Sequence, residues 1–389
     1  MQVFRISWSV IFCVWCIYAL SSDPCRAQDA DAAALVETDA LTQNTPTDLS
    51  QSLNSVIRGG ITLRPFDYRG QLQLDNDDEA LEERNPRYIL VLRSHELTGF
   101  YDQMTQSLAK LIGYATNGQI SISAESGVNS IENIQQSAER SDLFFFTAFA
   151  RDVDWLREGT ADWGPEHPYQ QVRSVVSLPP IVLQIVTQGL AQARNLRDLG
   201  GARIFAGKSG TNTRRMFDNA YAMLRMPDPI NVVPGVVGED PLIALRRREV
   251  DAVAIASPFP DYRITELASV LQLGLVGYPN SDYQNLLESE PQMVTRLIPA
   301  YTYENIEFSV ETIAEPIGIY TQARMLDMPV RVLTRAYWLW RNALIKGAGQ
   351  PWWADTDTGD IMHLVAPLHP AALDTYDQAG VILPEAQRP

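Results

Sequence analysis

The stretch that decides the fold is LRDLGGARIFAGKSGTNTRRMFDNAYAML, residues 196–224. Its pattern predicts a helical turn ended by a Gly-Gly pair, a short strand over 202–206 and then an amphipathic helix. Thr211 or Asn212 is a suitable N-cap for that helix, because a short polar side chain accepts a backbone N–H there. The loop 207–211 therefore lies at a helix N-terminus, where unpaired N–H groups and the helix dipole favour an anion such as a carboxylate.

Charged side chains around this loop strengthen the anion hypothesis. Arg214 and Arg215 fall in or near the first helical turn, where the dipole disfavours positive charge by roughly 0.3–1 kcal/mol. A bound anion would compensate them, and the alternative is that both point into solvent. Lys208 is either a carboxylate contact or an ordinary surface lysine. The candidate ligand-binding residues of this loop are Lys208, Ser209, Gly210, Thr211 and Arg214.

Length and composition limit the classes of protein to consider. A chain of 389 residues suggests two domains plus additional material. The formal net charge of -16 makes nucleic acid an unsuitable partner. Since 46% hydrophobic and 20% charged residues are ordinary for a soluble globular protein, the fold has to be inferred from the order of elements.

The N-terminus has the pattern of a secretory signal peptide over residues 1–27. Arg5 precedes an apolar run over 10–20, and small residues follow near Ala27. The run is shorter than the roughly 20 apolar residues of a membrane span, and an uncleaved anchor is the alternative. All three cysteines fall at or before the proposed cleavage site, so the mature periplasmic chain would have no thiol.

Strands alternate with helices through the rest of the chain, after an acidic extension over 28–85 that we expect to be flexible. The first predicted elements are strands over 87–92, 119–124 and 143–149 and helices over 102–114 and 130–140. An aromatic, polar insert over 150–169 and two crossing segments, 173–188 and 309–320, are also predicted. This order predicts parallel βαβ units in an α/β protein of two lobes, with lobe 1 over 86–175 and 305–389 and lobe 2 over 176–304.

Two turns of the first lobe are candidate walls of a ligand cleft, because ligands in open α/β sheets bind at the carboxyl ends of strands. The first turn is RSHELTGFYD, residues 93–102, and the second is GVNSIENIQ, residues 127–135. In the second turn, Ser130 is also a suitable N-cap for a helix, and this structural role is the alternative to ligand contact. The candidate ligand-binding residues of the two turns are Ser94, Thr98, Gly99, Tyr101, Ser130 and Asn133.

Several of these segments, in this order, resemble the TAXI-type solute receptors of TRAP transporters. The 196–224 unit is similar to the family's L-K-G-K-R-V-x-V-G-x-x-G-S-G-T segment, and Ser130 to Asn133 matches its S-V-E-N. EVDAV at 249–253 fits G-x-x-D-A-x-F, and the tail PLHPAALDTYDQAGV at 367–381 is close to L-H-P-G-A-x-x-Y-x-x-x-G. The first turn departs from the family's T-G-G-x-G-G-x-Y-Y, because Arg93, His95 and Glu96 stand where small residues are expected.

The resemblance implies a type II periplasmic binding protein that closes on a solute and delivers it to the membrane permease of a TRAP-type transporter. The solute implied is a small organic anion, a carboxylate such as glutamate or a dicarboxylate. No catalysis, cofactor or metal is expected, and the sequence lacks a nucleophile elbow and a dinucleotide fingerprint. The alternatives are a periplasmic sensing protein with a signalling partner and an enzyme that uses His95 and Glu96.

The tail histidine has a different expected role. We interpret His369 as a structural hydrogen-bonding residue rather than a ligand contact, because it belongs to the tail motif and not to a predicted cleft turn.

We expect the mature protein to begin near Gln28, because a short apolar run is followed by a small-residue site. N-terminal sequencing of protein recovered from the periplasm measures this directly. Recovery of an intact Met1 terminus in the membrane fraction would contradict the signal-peptide interpretation.

Overall fold

The computed structural model describes residues 88–94, 99–116, 120–140, 143–164, 168–190, 192–234, 240–347 and 356–388. The predicted signal peptide and acidic extension lie outside these residues, as does the loop 95–98 with Thr98. Within the described ranges, no helix is both long enough and apolar enough to cross a bilayer.

A single sheet runs through the described residues, in the order β2-β1-β3-β10-β4-β7-β5-β6, with β8 added to β4 and β9 added to β10. The strands are β1 Tyr88–Ser94, β2 Ile120–Ser126, β3 Phe144–Phe149, β4 Val172–Gln188, β5 Arg203–Phe205, β6 Asn231–Val233, β7 Ala252–Ser257, β8 Leu273–Val276, β9 Val294–Ile298 and β10 Val310–Gln322. The first lobe contains the parallel strands β2, β1 and β3, and the second contains the parallel strands β6, β5 and β7. The predicted parallel βαβ units are therefore confirmed.

Helices flank both groups of strands. They are α1 Phe100–Ala115, α2 Ser130–Glu139, α3 Ala150–Glu158, α4 Asn212–Leu224, α5 Pro241–Arg246, α6 Tyr262–Ala268, α7 Tyr283–Ser289, α8 Asp327–Gly347 and α9 Pro370–Gln378. Short polar side chains begin several of them: Asp240 caps α5 by accepting from the Leu242 N–H at 2.9 Å, and Pro241 occupies the first helical position. Each cap places a helix N-terminus after the preceding strand or loop.

The segment 150–169 differs from the aromatic insert expected from sequence, because α3 occupies its first half. Ala150, Val153 and Leu156 are buried at helical spacing, so the segment has an apolar stripe that packs on the sheet. Gly159 ends the helix in a left-handed conformation, at φ 73°. The polar and aromatic residues between the buried positions concealed this helical period.

Two long strands, β4 and β10, pass through both lobes and pair with each other. One end of β10 pairs with β3 in the first lobe, and its other end pairs with β9 in the second. The β4–β10 register shifts between the pairs Glu315–Ile181 and Ile317–Leu178.

Prolines explain this irregularity. Pro316 on β10 and the pair Pro179 and Pro180 on β4 fall inside the register shift, and none of them carries a backbone N–H for the ladder. The proline pair does not interrupt β4, which continues as one strand of 17 residues. The hydrogen-bonded ladder is therefore interrupted where the chain passes between the lobes. The predicted lobe boundaries at 175/176 and 304/305 stay predictions.

The tail histidine is structural, as expected. His369 is 1% exposed and caps α9, where its Nδ1 accepts from the Ala371 N–H at 3.3 Å. Its Nε2 lies 3.0 Å from the Met325 carbonyl oxygen, so Nε2 carries the proton of a neutral ring. Burial lowers the pKa of His369, although the bond to Met325 opposes this.

We expect acid to destabilise the fold through His369. Its folded-state pKa is lowered, so the unfolded chain binds more protons as pH falls below about 6.5. The stability that neutral His369 contributes is fully present above that pH and is lost as the pH falls below it. The free energy of unfolding then decreases by at most about 1.4 kcal/mol per pH unit from this residue. Denaturant titrations between pH 7.5 and 5 should show a shallower loss for His369→Asn, which can still cap α9. Parallel pH profiles for parent and variant would contradict this assignment.

Candidate functional site

The first turn of the first lobe uses its predicted residues for internal contacts. Ser94 is buried, and its hydroxyl donates to Asp102 Oδ1 at 2.9 Å. Ser126 Oγ donates to the same oxygen at 2.7 Å, so the carboxylate joins the ends of β1 and β2 to the start of α1. Tyr101 is buried and donates its hydroxyl hydrogen to the Pro179 carbonyl oxygen at the crossing strand. Gly99 has φ 77°, a left-handed conformation that favours glycine before α1.

The second turn is also held by hydrogen bonds within the protein. Ser130 Oγ accepts from the Phe149 N–H at 2.9 Å, and the N-cap of α2 is Asn129 rather than Ser130. Asn133 is fully buried, and its amide donates to the carbonyl oxygens of Ser94 and Thr147 at 3.1 and 3.0 Å. These side chains fix the carboxyl ends of β1 and β3.

The loop before α4 has the predicted conformation, with Thr211 as N-cap. Thr211 Oγ1 accepts from the Arg214 N–H at 3.3 Å and donates to the Lys208 carbonyl oxygen at 2.8 Å. Gly210 has φ 82°, which again favours glycine. The side chains of Lys208 and Ser209 are exposed. The hydroxyl predicted to bind the anion is thus already used in the cap.

The two arginines of α4 have different surroundings. Arg214 Nε donates to Asp218 one turn along the same helix, at 2.8 Å, on the outer face of α4. Arg215 bonds to Asn212 Oδ1 and to Glu315 on the crossing strand β10. One residue along a helix turns a side chain by about 100°, so Arg215 and not Arg214 reaches the crossing strand β10. The ligand contact predicted for Arg214 stays a prediction.

Arg215 belongs to a group of polar side chains between the lobes, which we call the hinge cluster. The cluster consists of Arg151, Asp152, Asn212, Arg215 and Glu315. Glu315 is 1% exposed and directly precedes Pro316, the proline of β10 inside the register shift. Its Oε1 accepts from Arg151 Nη1 at 2.6 Å, and its Oε2 accepts from Asn212 Nδ2 at 2.9 Å and from Arg215 Nη2. One carboxylate thus joins α3 of the first lobe to α4 of the second.

The two cluster arginines are not equally compensated. Burial lowers the pKa of Arg151, but the carboxylates of Glu315 and Asp152 outweigh it and the pKa is raised. Burial also lowers the pKa of Arg215, Arg151 adds to the effect, and Glu315 offsets only part of it. Arg215 Nη1 is buried and has no hydrogen-bond partner among the described residues. Arg215 is therefore a partly buried cation, with a side chain 27% exposed, whose inaccessible Nη1 has unused donors.

Other contacts join the lobes around this cluster. The rings of Phe100, at the start of α1, and Tyr262, at the start of α6, have centroids 5.9 Å apart. Gln292 donates from Nε2 to Asp154 Oδ2 on α3. The helix starts of both lobes therefore face one another, and the structure has its lobes in contact.

Sequence reasoning missed Arg151 and Glu315. One signal was available for Glu315: in VETIAEPIGIYTQ, residues 310–322, it is a carboxylate followed by proline in an otherwise apolar crossing strand. A charge in such a buried strand requires a partner. Arg151 gave no comparable signal, because it lies in the segment interpreted as an insert.

The comparisons with known proteins fit this topology. A family model described as the NMT1-like family matches residues 96–380, which is more than half of the 389-residue chain. The chain belongs to the NMT1-like family. The described residues of this NMT1-like protein have an α/β architecture in which two groups of parallel strands are joined by two long crossing strands.

Solved structures of solute-binding proteins are similar to this NMT1-like chain at low identity. A TctC solute binding protein from Polaromonas is 12% identical with a TM-score of 0.48, covering 76% of this chain and 98% of that chain. The second substrate binding domain of GlnP from Lactococcus lactis is 10% identical with a TM-score of 0.41, covering 70% and 97%. The aliphatic sulphonate binding protein SsuA from Escherichia coli is 12% identical with a TM-score of 0.40, covering 75% and 84%.

A capping role for Thr211 has a measurable consequence in this NMT1-like protein. Thr211→Val should lower the free energy of unfolding by about 0.5–2 kcal/mol, because it removes the N-cap of α4. Lys208→Ala, at an exposed position of the same loop, should change it by less than about 0.5 kcal/mol. Urea titrations of both variants test this. If Thr211→Val kept its stability but lost solute binding, the Thr211 hydroxyl would be a ligand contact and not a structural cap.

Proposed function

We propose that the protein is an extracytoplasmic solute-binding protein that holds a small organic anion between its lobes and delivers it to a TRAP-type transporter. The observation that carries the proposal is the buried, unpartnered Nη1 of Arg215 between the two lobes. Residues 28 onward would act in the periplasm, and the protein would release the solute chemically unchanged.

The chemistry of Arg215 favours an anionic group. Buried polar atoms in native proteins nearly always have a partner, so the spare N–H groups of Nη1 point to a molecule that completes them. A carboxylate suits a guanidinium because charge-assisted hydrogen bonds are shorter and stronger than neutral ones. Arg215 lies in the first turn of α4, so the positive end of the helix dipole also favours an anion there.

The architecture provides a way to open and close. The weak ladder at Pro316 and at the proline pair of β4 allows the lobes to bend, and Tyr101 fixes the first lobe to this point. The aromatic rings of Phe100 and Tyr262, which are in contact in this structure, would separate when the lobes open and meet again on closure. A solute between the lobes would thus be enclosed by both sets of helix starts, as in hinge closure.

The test is the affinity of Arg215 variants for a panel of carboxylates, measured by isothermal titration calorimetry. Arg215→Gln should weaken binding of any carboxylate that the parent binds by about 1.5–3 kcal/mol, because a charged hydrogen-bonding partner is lost. Arg214→Gln is the matched control: it is the neighbouring arginine on the same helix turn, but its guanidinium bonds to Asp218.

Melting curves confirm that each variant is folded before titration. Unchanged affinity in Arg215→Gln, or an equal loss in both variants, would contradict the proposed site. A parent that binds no member of the carboxylate panel would contradict the anion assignment itself.

A further inference from the structure

The hinge cluster contains a negative charge in the place where a solute's negative charge is expected. Glu315 presents both carboxylate oxygens to donors that come from opposite lobes. It is 1% exposed, so these donors, not water, satisfy it. A carboxylate on a bound solute would seek the same guanidinium of Arg215.

The charges near Arg215 do not favour an added anion. Glu315 pairs with Arg215 directly, and the carboxylates of Glu290 and Asp152 also act to raise the pKa of Arg215, whereas Arg151 acts to lower it. In the hinge cluster itself, the two carboxylates of Glu315 and Asp152 already balance the two arginines without a solute. The contact through Nη1 is attractive, but the surrounding field opposes it.

We propose that Glu315 is a specificity-determining residue that acts as an internal competitor for the solute's anionic group. This inference rests on the proposed function. Glu315 holds Arg151 and Arg215 together and keeps the lobes in contact. While Glu315 is bound to the two arginines, a solute can form only some of the hydrogen bonds that they could donate. The affinity for anions is thereby held below what two arginines alone would give.

A limit on binding of this kind follows from simple energetics. A ligand gains only the difference between its own contacts and those it replaces. If the state with free arginines is a minor one, the apparent affinity falls in proportion to its population. Removing the internal carboxylate should therefore strengthen anion binding, although it weakens the packing between lobes.

The experiment compares Glu315→Gln with Glu290→Gln in the full chain. Both changes remove one negative charge near the two arginines, but Glu290 accepts its hydrogen bond from Asn219 at 2.6 Å and not from an arginine. Titrations use the tightest-binding carboxylate of the panel and its neutral carboxamide analogue. Glu315→Gln should bind the carboxylate roughly tenfold tighter, since a charge-assisted hydrogen bond becomes available to it. The carboxamide affinity should change little, and the effect of Glu290→Gln should be smaller.

A purely structural role for Glu315 predicts the opposite result. In that case Glu315→Gln would lose affinity for carboxylate and carboxamide alike, because the two helices would no longer be aligned. Such a loss, or an equal gain in Glu290→Gln, would overturn the proposal. If Arg215→Gln still weakens binding in the same assay, the proposed function stands and only the competitor role fails.

A second measurement keeps the proposal testable if Glu315→Gln does not fold. Small-angle X-ray scattering of the parent should give nearly the same radius of gyration with and without saturating carboxylate, because Glu315 already holds the lobes together. A clear decrease on adding the carboxylate would show an open empty protein and would contradict the competitor role.

Discussion

The interaction on which the cleft depends is the buried carboxylate of Glu315 between two arginines from different lobes. A charge at 1% exposure is expensive unless it is paired, and removing one partner of such a pair typically costs about 3–5 kcal/mol. Arg151 and Arg215 supply that pairing, and Asn212 completes it. Glu315 directly precedes Pro316, where the chain passes between the lobes. The need to pair its buried carboxylate therefore also brings α3 and α4 together.

Sheet pairing and electrostatics act together at this point. The prolines of β4 and β10 remove backbone donors where the strands cross between lobes, so the ladder does not hold the lobes rigidly. The hinge cluster supplies side-chain contacts beside these prolines, because its Glu315 directly precedes Pro316 on β10. Backbone pairing of β4 with β10 and the ion pairs of Glu315 therefore both connect the two lobes at this point.

Local signals explain what the sequence could predict. The 196–224 unit was predicted closely because its glycines, its threonine cap and its apolar spacing are all local, and the structure places the helix at Asn212–Leu224 with Thr211 as N-cap. Alternation of strands and helices likewise predicted the parallel groups. The choice between Arg214 and Arg215 could not be made, because it depends on the rotation of α4 relative to β10.

Contacts between distant segments explain what was missed. Arg151 and Glu315 are 164 residues apart in the chain, and no local pattern connects them. Asn133 was correctly identified as lying near the strand ends, but the sequence could not show that its amide is used by two backbone carbonyls. The ligand-binding interpretation of both first-lobe turns stays a prediction, while the geometry directs attention to the side of the cleft formed by α4 and β10.

A crystal structure of the protein with a bound carboxylate tests the central claim most directly. The quantity to measure is the distance from the solute's carboxylate oxygens to Arg215 Nη1. We expect an oxygen within about 3 Å of that nitrogen, the distance of a charge-assisted hydrogen bond, with the solute enclosed between the starts of α1 and α4. A carboxylate bound instead on the exposed side of the loop 207–211, with Nη1 still unpartnered, would contradict the account.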